Sequence, residues 1–128
     1  MALAFSVAVR TARAQAIITA AGGTNAKLKF FSGTRPSTGG AETTLLATLT
    51  FPGVIGTAGS GAIDITEAGI TQSNGSHVSG TPTWARIETS GGTHIADFSI
   101  PGDLTFTGTV ATGVDVTLNA STITEGNA

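Results

Sequence analysis

Residues 81–100 read TPTWARIETSGGTHIADFSI, and this stretch decides the fold class. Apolar and polar residues alternate on both sides of the Ser-Gly-Gly sequence at 90–92. Alternation with a period of two is typical of a strand with one buried face, and paired glycines permit the positive φ angles of a tight turn. The sequence therefore predicts an antiparallel hairpin with strands at about 81–89 and 93–100.

Strand parity assigns the side chains of this hairpin to faces. Trp84, Arg86 and Glu88 alternate along the first strand and share one of its faces, and we interpret Trp84 as a core residue. In the second strand the same parity predicts that His94 and Asp97 lie on opposite faces. Because an acid–base pair needs both groups on one face, this prediction favours a structural role for His94.

The regions on either side of the hairpin supply further strands and one helix. Short β-branched runs between Gly, Pro, Ser and Asn clusters predict strands at about 26–32, 43–51, 62–66, 104–110 and 114–124. Residues 5–21 instead have apolar side chains three and four apart. With Ser6 as a cap and Gly22 and Gly23 as a stop, this spacing predicts a helix at about 6–21.

Six to eight short strands at regular spacing are typical of all-β folds. The sequence predicts an all-β protein, built as a β-sandwich, a jelly-roll-like fold or a small barrel, with one N-terminal α-helix. No linker or change of composition divides the 128 residues, a length that suits one domain. We expect a single domain over residues 1–128, with a β-rich body at about 26–124 after the helix.

The composition limits the classes of function. Charged residues make up 11% of the chain, whereas about 25% is typical of soluble domains. The net charge of −2 gives no basic surface for nucleic acid, and no apolar run approaches the ~20 residues of a membrane span. Because charged residues are depleted at interface cores, the Thr, Ser, Gly and Ala that replace them favour a surface buried against other subunits.

Few side chains of the chain could act in catalysis or bind a metal. The chain has no cysteine, two histidines, His77 and His94, and eight acids that lie singly. Metal sites need three or four ligands at fold-determined spacing, and no HxH or HExxH pattern is present. The sequence therefore predicts a non-enzymatic protein without cofactor or metal.

Residues 32–40, SGTRPSTGG, contain glycine amides, hydroxyls and one arginine, which are the ingredients of an anion site. They lack the lysine and the following helix of a phosphate-binding loop, so we interpret them as a connector between two strands. Arginine on a rigid turn is a frequent interface anchor. The candidate interface residues are Arg35 and Pro36 on this connector, and Arg10 and Arg13 on the polar side of the helix.

Four segments carry a resemblance to a known class of proteins: MALAFSVAVRTARAQAI at 1–17, KLKFFSGTRPSTGGAETTLLATLTF at 27–51, TWARIETSGGTHIADFSI at 83–100 and STITEGNA at 121–128. In the character and order of these segments, the chain resembles small structural proteins encoded in the morphogenesis regions of tailed bacteriophages. The resemblance implies a capsid decoration or cement protein of the virion, assembled in the cytoplasm of the host bacterium. It implies a homo-oligomer that binds the major capsid protein or other virion subunits, and transfers no individual site residue.

Three alternatives stay open from the sequence. Another virion part, such as a tail-tube, neck or baseplate subunit, would differ from a cement protein in its copy number in the particle. A binding module for host glycans would use Trp84 as its platform, although sugar sites normally recruit several aromatic residues. A small hydrolase would depend on His94 and Asp97.

Overall fold

A computed structural model of the protein describes residues 6–37, 39–100, 102–106, 108–118 and 122–124. Over these residues the chain forms one α-helix, eight β-strands and a short 3₁₀ helix at Asn74–Ser76. In chain order the main elements are α1 (Val7–Ala21), β1 (Lys27–Ser32), β2 (Thr44–Thr50), β3 (Gly56–Gly59), β4 (Ala62–Ile65), β5 (Thr71–Gln72), β6 (Trp84–Glu88), β7 (His94–Ser99) and β8 (Thr122–Thr124).

The strands form two antiparallel sheets. One has five strands in the order β5-β2-β1-β6-β7, and the other has three in the order β3-β4-β8. The predicted all-β class with one N-terminal helix is confirmed. The larger sheet ends in β5 on one side and β7 on the other, so the described strands do not close into a barrel, and the small-barrel alternative is wrong.

One buried cluster joins the helix to both sheets. Leu28 and Phe30 of β1 enter it from the five-stranded sheet, and Ile63 of β4 enters it from the three-stranded sheet. The ring of Phe30 lies 5.0 Å from that of Phe106, centroid to centroid. Alternation along β1 therefore places Leu28 and Phe30 inward and the two lysines outward.

Helix α1 begins and ends where the sequence predicts. The hydroxyl of Ser6 accepts a hydrogen bond from the amide of Val9 at 3.3 Å, and Gly22 ends the helix at a φ of 96°. Ala14, Ile18 and Ala21 are its buried residues, and the helix packs mainly on β3 and β4 of its own chain. No helix of the described ranges is both long and apolar enough to span a bilayer.

The last third of the chain differs from the prediction. The described residues of 104–110 form no strand: Leu104 and Val110 make only isolated bridges, to Ile123 and Gly80. Within the described part of 114–124 the predicted strand is reduced to β8, and 119–121 lie outside the described residues. Turns occur in both regions: the amides of Asp103 and Leu104 donate to the Ser99 carbonyl at the start of the first, and the Val114 amide donates to the Ala111 carbonyl at the start of the second. The short strands β3 and β5 were not predicted.

Two bulges shift the alternation in the larger sheet. Phe30 and Phe31 pair with Ala47 and Leu45, so Leu46 is an extra residue on β2. As a result Leu46 is buried together with Ala47, whereas Leu45 is 39% exposed. Ile95 is the extra residue on β7, because Ile87 and Glu88 pair with Ala96 and His94.

A substitution at Gly56 would test the close pairing of β3 and β4. A Cβ at this position would collide with the backbone carbonyl of Asp64, whereas one at Gly59 on the same strand would meet nothing within 4 Å. We expect Gly56→Ala to lower the free energy of unfolding by about 1–3 kcal/mol, as overpacking does. Gly59→Ala is the matched control and should stay within about 0.5 kcal/mol of the wild type. Equal urea midpoints for the two variants would contradict the pairing.

Candidate functional site

Ionisable side chains gather on the outer face of the five-stranded sheet, which is the face turned away from the buried cluster. Lys29 of β1, Arg86 of β6 and Asp97 of β7 are direct register partners across three adjacent strands. Side chains that oppose each other in an antiparallel sheet have Cβ atoms about 4.5–5.5 Å apart, close enough to interact. The register of the sheet therefore builds a continuous row of charge.

Arg86 and Asp97 form the central ion pair. The Nε and Nη2 atoms of Arg86 donate to the two carboxylate oxygens of Asp97 at 2.7 and 3.2 Å. The two side chains are only 6% and 1% exposed. The hydrogen bonds that Arg86 donates to Asp97 raise the pKa of Arg86. Burial opposes ionisation of Asp97, but the hydrogen bonds from Arg86 and from the Gly39 amide outweigh it and lower the pKa of that carboxyl.

Lys29 connects this pair to two glutamates. Its Nζ lies 3.1 Å from Glu88 Oε1 and 3.3 Å from Glu42 Oε2, and Glu42 also lies 3.9 Å from Arg86 Nη1. Burial lowers the pKa of Lys29, but the hydrogen bonds to Glu88 and Glu42 raise it above the ordinary value. The five charged side chains therefore neutralise one another for the most part.

The predicted separation of His94 from Asp97 is wrong. The two residues lie on the same face, with 3.3 Å between His94 Nε2 and Asp97 Oδ1. The cause is the bulge at Ile95, which inserts one residue between them and reverses the parity of β7 before Ala96. His94 therefore belongs to the charged row.

Residues 39–43 lie over this row, and we call them the strap. The amide of Gly39 donates to Asp97 Oδ2 at 3.1 Å, and the carbonyl of Gly40 accepts from Arg86 Nη2 at 2.7 Å. Thr43 Oγ1 accepts from the indole of Trp84 at 2.8 Å. The strap is thus attached to the sheet through polar groups.

Two stacked aromatic rings lie on the same face beside the ion pair. Phe31 and Trp84 have ring centroids 4.1 Å apart and an angle of 12° between their planes, and both are 0% exposed. The guanidinium carbon of Arg86 lies 5.2 Å from the centroid of the Trp84 ring. The expectation that Trp84 is buried is confirmed, but Trp84 lies outside the main cluster, on the opposite side of the sheet.

The predicted interface residues fall into two places. Arg35 is exposed and its Nε donates to Ser99 Oγ at 3.1 Å, while Pro36 is half-buried and packs beside Gly40 of the strap. Arg10 and Arg13 lie on α1, where the guanidinium of Arg10 packs against Gly61 and Arg13 is exposed. The structure thus places Arg35 and Pro36 next to the charged row.

The charged row itself escaped the sequence prediction, and the cause is the bulge at Ile95. The turn pairs Glu88 with His94, so counting outward from it places Arg86 opposite Ala96, and only the extra residue Ile95 brings Arg86 opposite Asp97. Local sequence gives no signal for that bulge. Within the described ranges no cluster of three or more His, Cys, Asp or Glu is suited to a metal ion. The chemistry of the row is that of ion pairing and loop attachment.

Loss of the Asp97 charge should weaken the fold. Asp97→Asn leaves the guanidinium of Arg86 buried without its counter-ion, and removing one partner of a buried pair costs roughly 3 kcal/mol or more. Asp64→Asn on the exposed side of β4 is the control and should change the free energy of unfolding by less than about 0.5 kcal/mol. Urea unfolding measures the free energy of unfolding of both variants. Equal values for Asp97→Asn and Asp64→Asn would contradict the assigned role of the ion pair.

Acid should destabilise the fold by protonating the Asp97 carboxyl. Since its folded pKa lies below the ordinary value of 3.8, the charged form stabilises the fold fully above that pH, and the contribution is lost as the pH falls through the folded pKa. We expect the unfolding free energy of the wild type to fall more steeply than that of Asp97→Asn between about pH 4 and pH 2. Parallel pH profiles would show that Asp97 is not the group responsible.

Comparisons of the chain with models of protein families, with curated protein sequences and with solved structures gave no significant match. No activity or partner can therefore be carried over from a relative. The function has to be inferred from the fold, the charged row and the exposed surface.

Proposed function

We propose that this protein is a non-enzymatic structural subunit of a tailed-bacteriophage virion, which decorates or cements the capsid as a homo-oligomer. Its partners are the major capsid protein or other virion subunits, and its location is the virion. The observation that carries the proposal is the pairing of charge within the sheet: five of the fourteen Lys, Arg, Asp and Glu side chains of a weakly charged chain pair with one another in the charged row. Repeated contacts on a lattice multiply modest affinities.

Exposed apolar side chains support a role in protein contact. Val7 and Val9, on the first turns of α1, are 51% and 43% exposed. Leu45 and Val78 are 39% and 48% exposed, and both line a pocket of ≈ 390 Å³ beside β2. Its lining contains hydroxyls and apolar groups and no Asp, Glu, Lys or Arg, which suits an uncharged protein surface.

The finer fold class belongs to the same proposal. We propose that the two sheets pack face to face as a β-sandwich. A single buried cluster that takes Leu28 from β1 and Ile63 and Ile123 from the other sheet supports this arrangement. The jelly-roll-like variant stays a prediction.

The burial of Trp84 bears on the glycan-binding alternative. A sugar platform needs an aromatic face open to solvent, and the Trp84 ring is fully covered. A glycan module would have to use other residues, so we favour the virion subunit. The tail-tube, neck and baseplate alternatives share its chemistry and differ from it in copy number.

Purified virions provide the test of this function. Mass spectrometry should find the protein in the particle, and a cryo-EM map should place it on the outer capsid surface in hundreds of copies, in keeping with lattice binding. A dozen copies or fewer would assign it to the neck or baseplate. Complete absence from the particle would refute the proposal.

Arg35 should contribute to assembly rather than to folding. Within the described part of the chain no carboxylate pairs with Arg35, whose exposed guanidinium is oriented by Ser99. We expect Arg35→Ala to weaken binding to capsids by about tenfold, the loss of one interface contact, while its urea midpoint stays that of the wild type. Lys27→Ala removes a charge elsewhere on the same sheet and is the control. Equal capsid binding by both variants would exclude Arg35 from the interface.

A further inference from the structure

We infer that the strap is a releasable cover, which the charge of Asp97 holds on the sheet and whose release exposes the Phe31–Trp84 pair while both sheets remain folded. This inference concerns the conformation of the chain and stands independently of the proposed function. The strap is small and exposed, whereas the aromatic and ionic side chains beneath it are buried.

The strap contributes little apolar surface of its own. Its residues are Gly, Gly, Ala, Glu and Thr, and all except the half-buried Gly40 are exposed. Its attachments to the sheet are hydrogen bonds and ion pairs to Asp97, Arg86, Lys29 and Trp84, and the bond from the Thr43 hydroxyl to the carbonyl of Ser32. Segments held by few apolar contacts open at a lower free energy than the strands they cover. The strap can therefore separate from the sheet without unfolding it.

Asp97 is the point at which the attachments converge. Its carboxylate accepts two hydrogen bonds from Arg86 and one from the Gly39 amide, and His94 lies 3.3 Å away. The other charged groups facing this site are Lys29 and Glu88 from the neighbouring strands and Glu42 from the strap itself. Loss of the Asp97 charge removes an acceptor from the strap and frees Arg86, which holds Gly40.

Glycine supplies the required backbone freedom. Gly39 has a φ of 74°, a conformation that side-chain-bearing residues rarely adopt. A Cβ at Gly39 would lie 3.7 Å from the His94 ring, which is ordinary contact. A substitution there strains the strap through its backbone while leaving the sheet unchanged.

Release has a defined consequence for the surface. Phe31 and Trp84 are 0% exposed while the strap is closed, and they lie beside the cations of Arg86 and Lys29. The strap reaches this pair at Trp84, whose indole donates to Thr43 and whose ring lies under Arg86, the residue that holds Gly40. Release of the strap would therefore open the Trp84 end of the aromatic pair to solvent when the Asp97 carboxylate is neutralised.

Trp84 is the only tryptophan of the chain, so its fluorescence reports on the cover. In full-length Asp97→Asn at neutral pH, we expect a red-shifted emission and stronger acrylamide quenching. Hydrogen exchange at the Gly39 amide should be about tenfold faster than in the wild type, and within the variant the amides of β1 and β6 should still exchange more slowly than the Gly39 amide. Unchanged Gly39 exchange, or β6 amides that exchange as fast as the Gly39 amide in the variant, would overturn the inference.

A second variant acts on the strap alone. Gly39→Ala imposes backbone strain within the strap and should also red-shift Trp84 and accelerate exchange at the amide of residue 39. Its control is Gly92→Ala, at a φ of 89° in the hairpin turn with nothing within 4 Å, which imposes similar strain away from the strap. If both glycine variants gave the same Trp84 spectrum, the strap would not be a separate unit and the inference would fail.

Discussion

Burying the guanidinium of Arg86 against the carboxylate of Asp97 takes two charges out of water, and their attraction offsets that cost only with near-ideal geometry and further hydrogen bonds. The outer side of the five-stranded sheet is organised around this requirement. Gly39 and Gly40 supply the further bonds, one amide to the acid and one carbonyl to the base. The connector before β2 is thereby fixed in place, and with it the position of Arg35.

The sheet consequently has two buried sides of different character. Its inner side joins an apolar cluster with α1 and the smaller sheet, where stability comes from removing hydrocarbon from water. Its outer side combines an aromatic stack with a nearly neutral ionic row. The first kind of burial tolerates small shifts in shape, whereas the second depends on the protonation state and on distances of a few tenths of an ångström.

Much of this architecture follows from local sequence rules. The hairpin at 81–100 and the caps at Ser6 and Gly22 are visible because they depend on periodicity and turn chemistry. The extra residues Leu46 and Ile95 are not visible, since a bulge reflects pairing with a neighbour that local sequence does not specify. One of them reversed the predicted face of His94. The last third of the chain was overpredicted because buried Leu104, Phe106 and Val110 alternate like a strand without forming a ladder.

The bulge at Ile95 also affects how copies of this chain can meet. Strand β7 is the edge of its sheet, and a long flat edge would add further strands from neighbouring molecules without limit. A bulge and a buried charge such as Asp97 both interrupt such an edge. The same inserted residue that brings His94 to the ionic row thus makes β7 a poor template for a strand from another molecule.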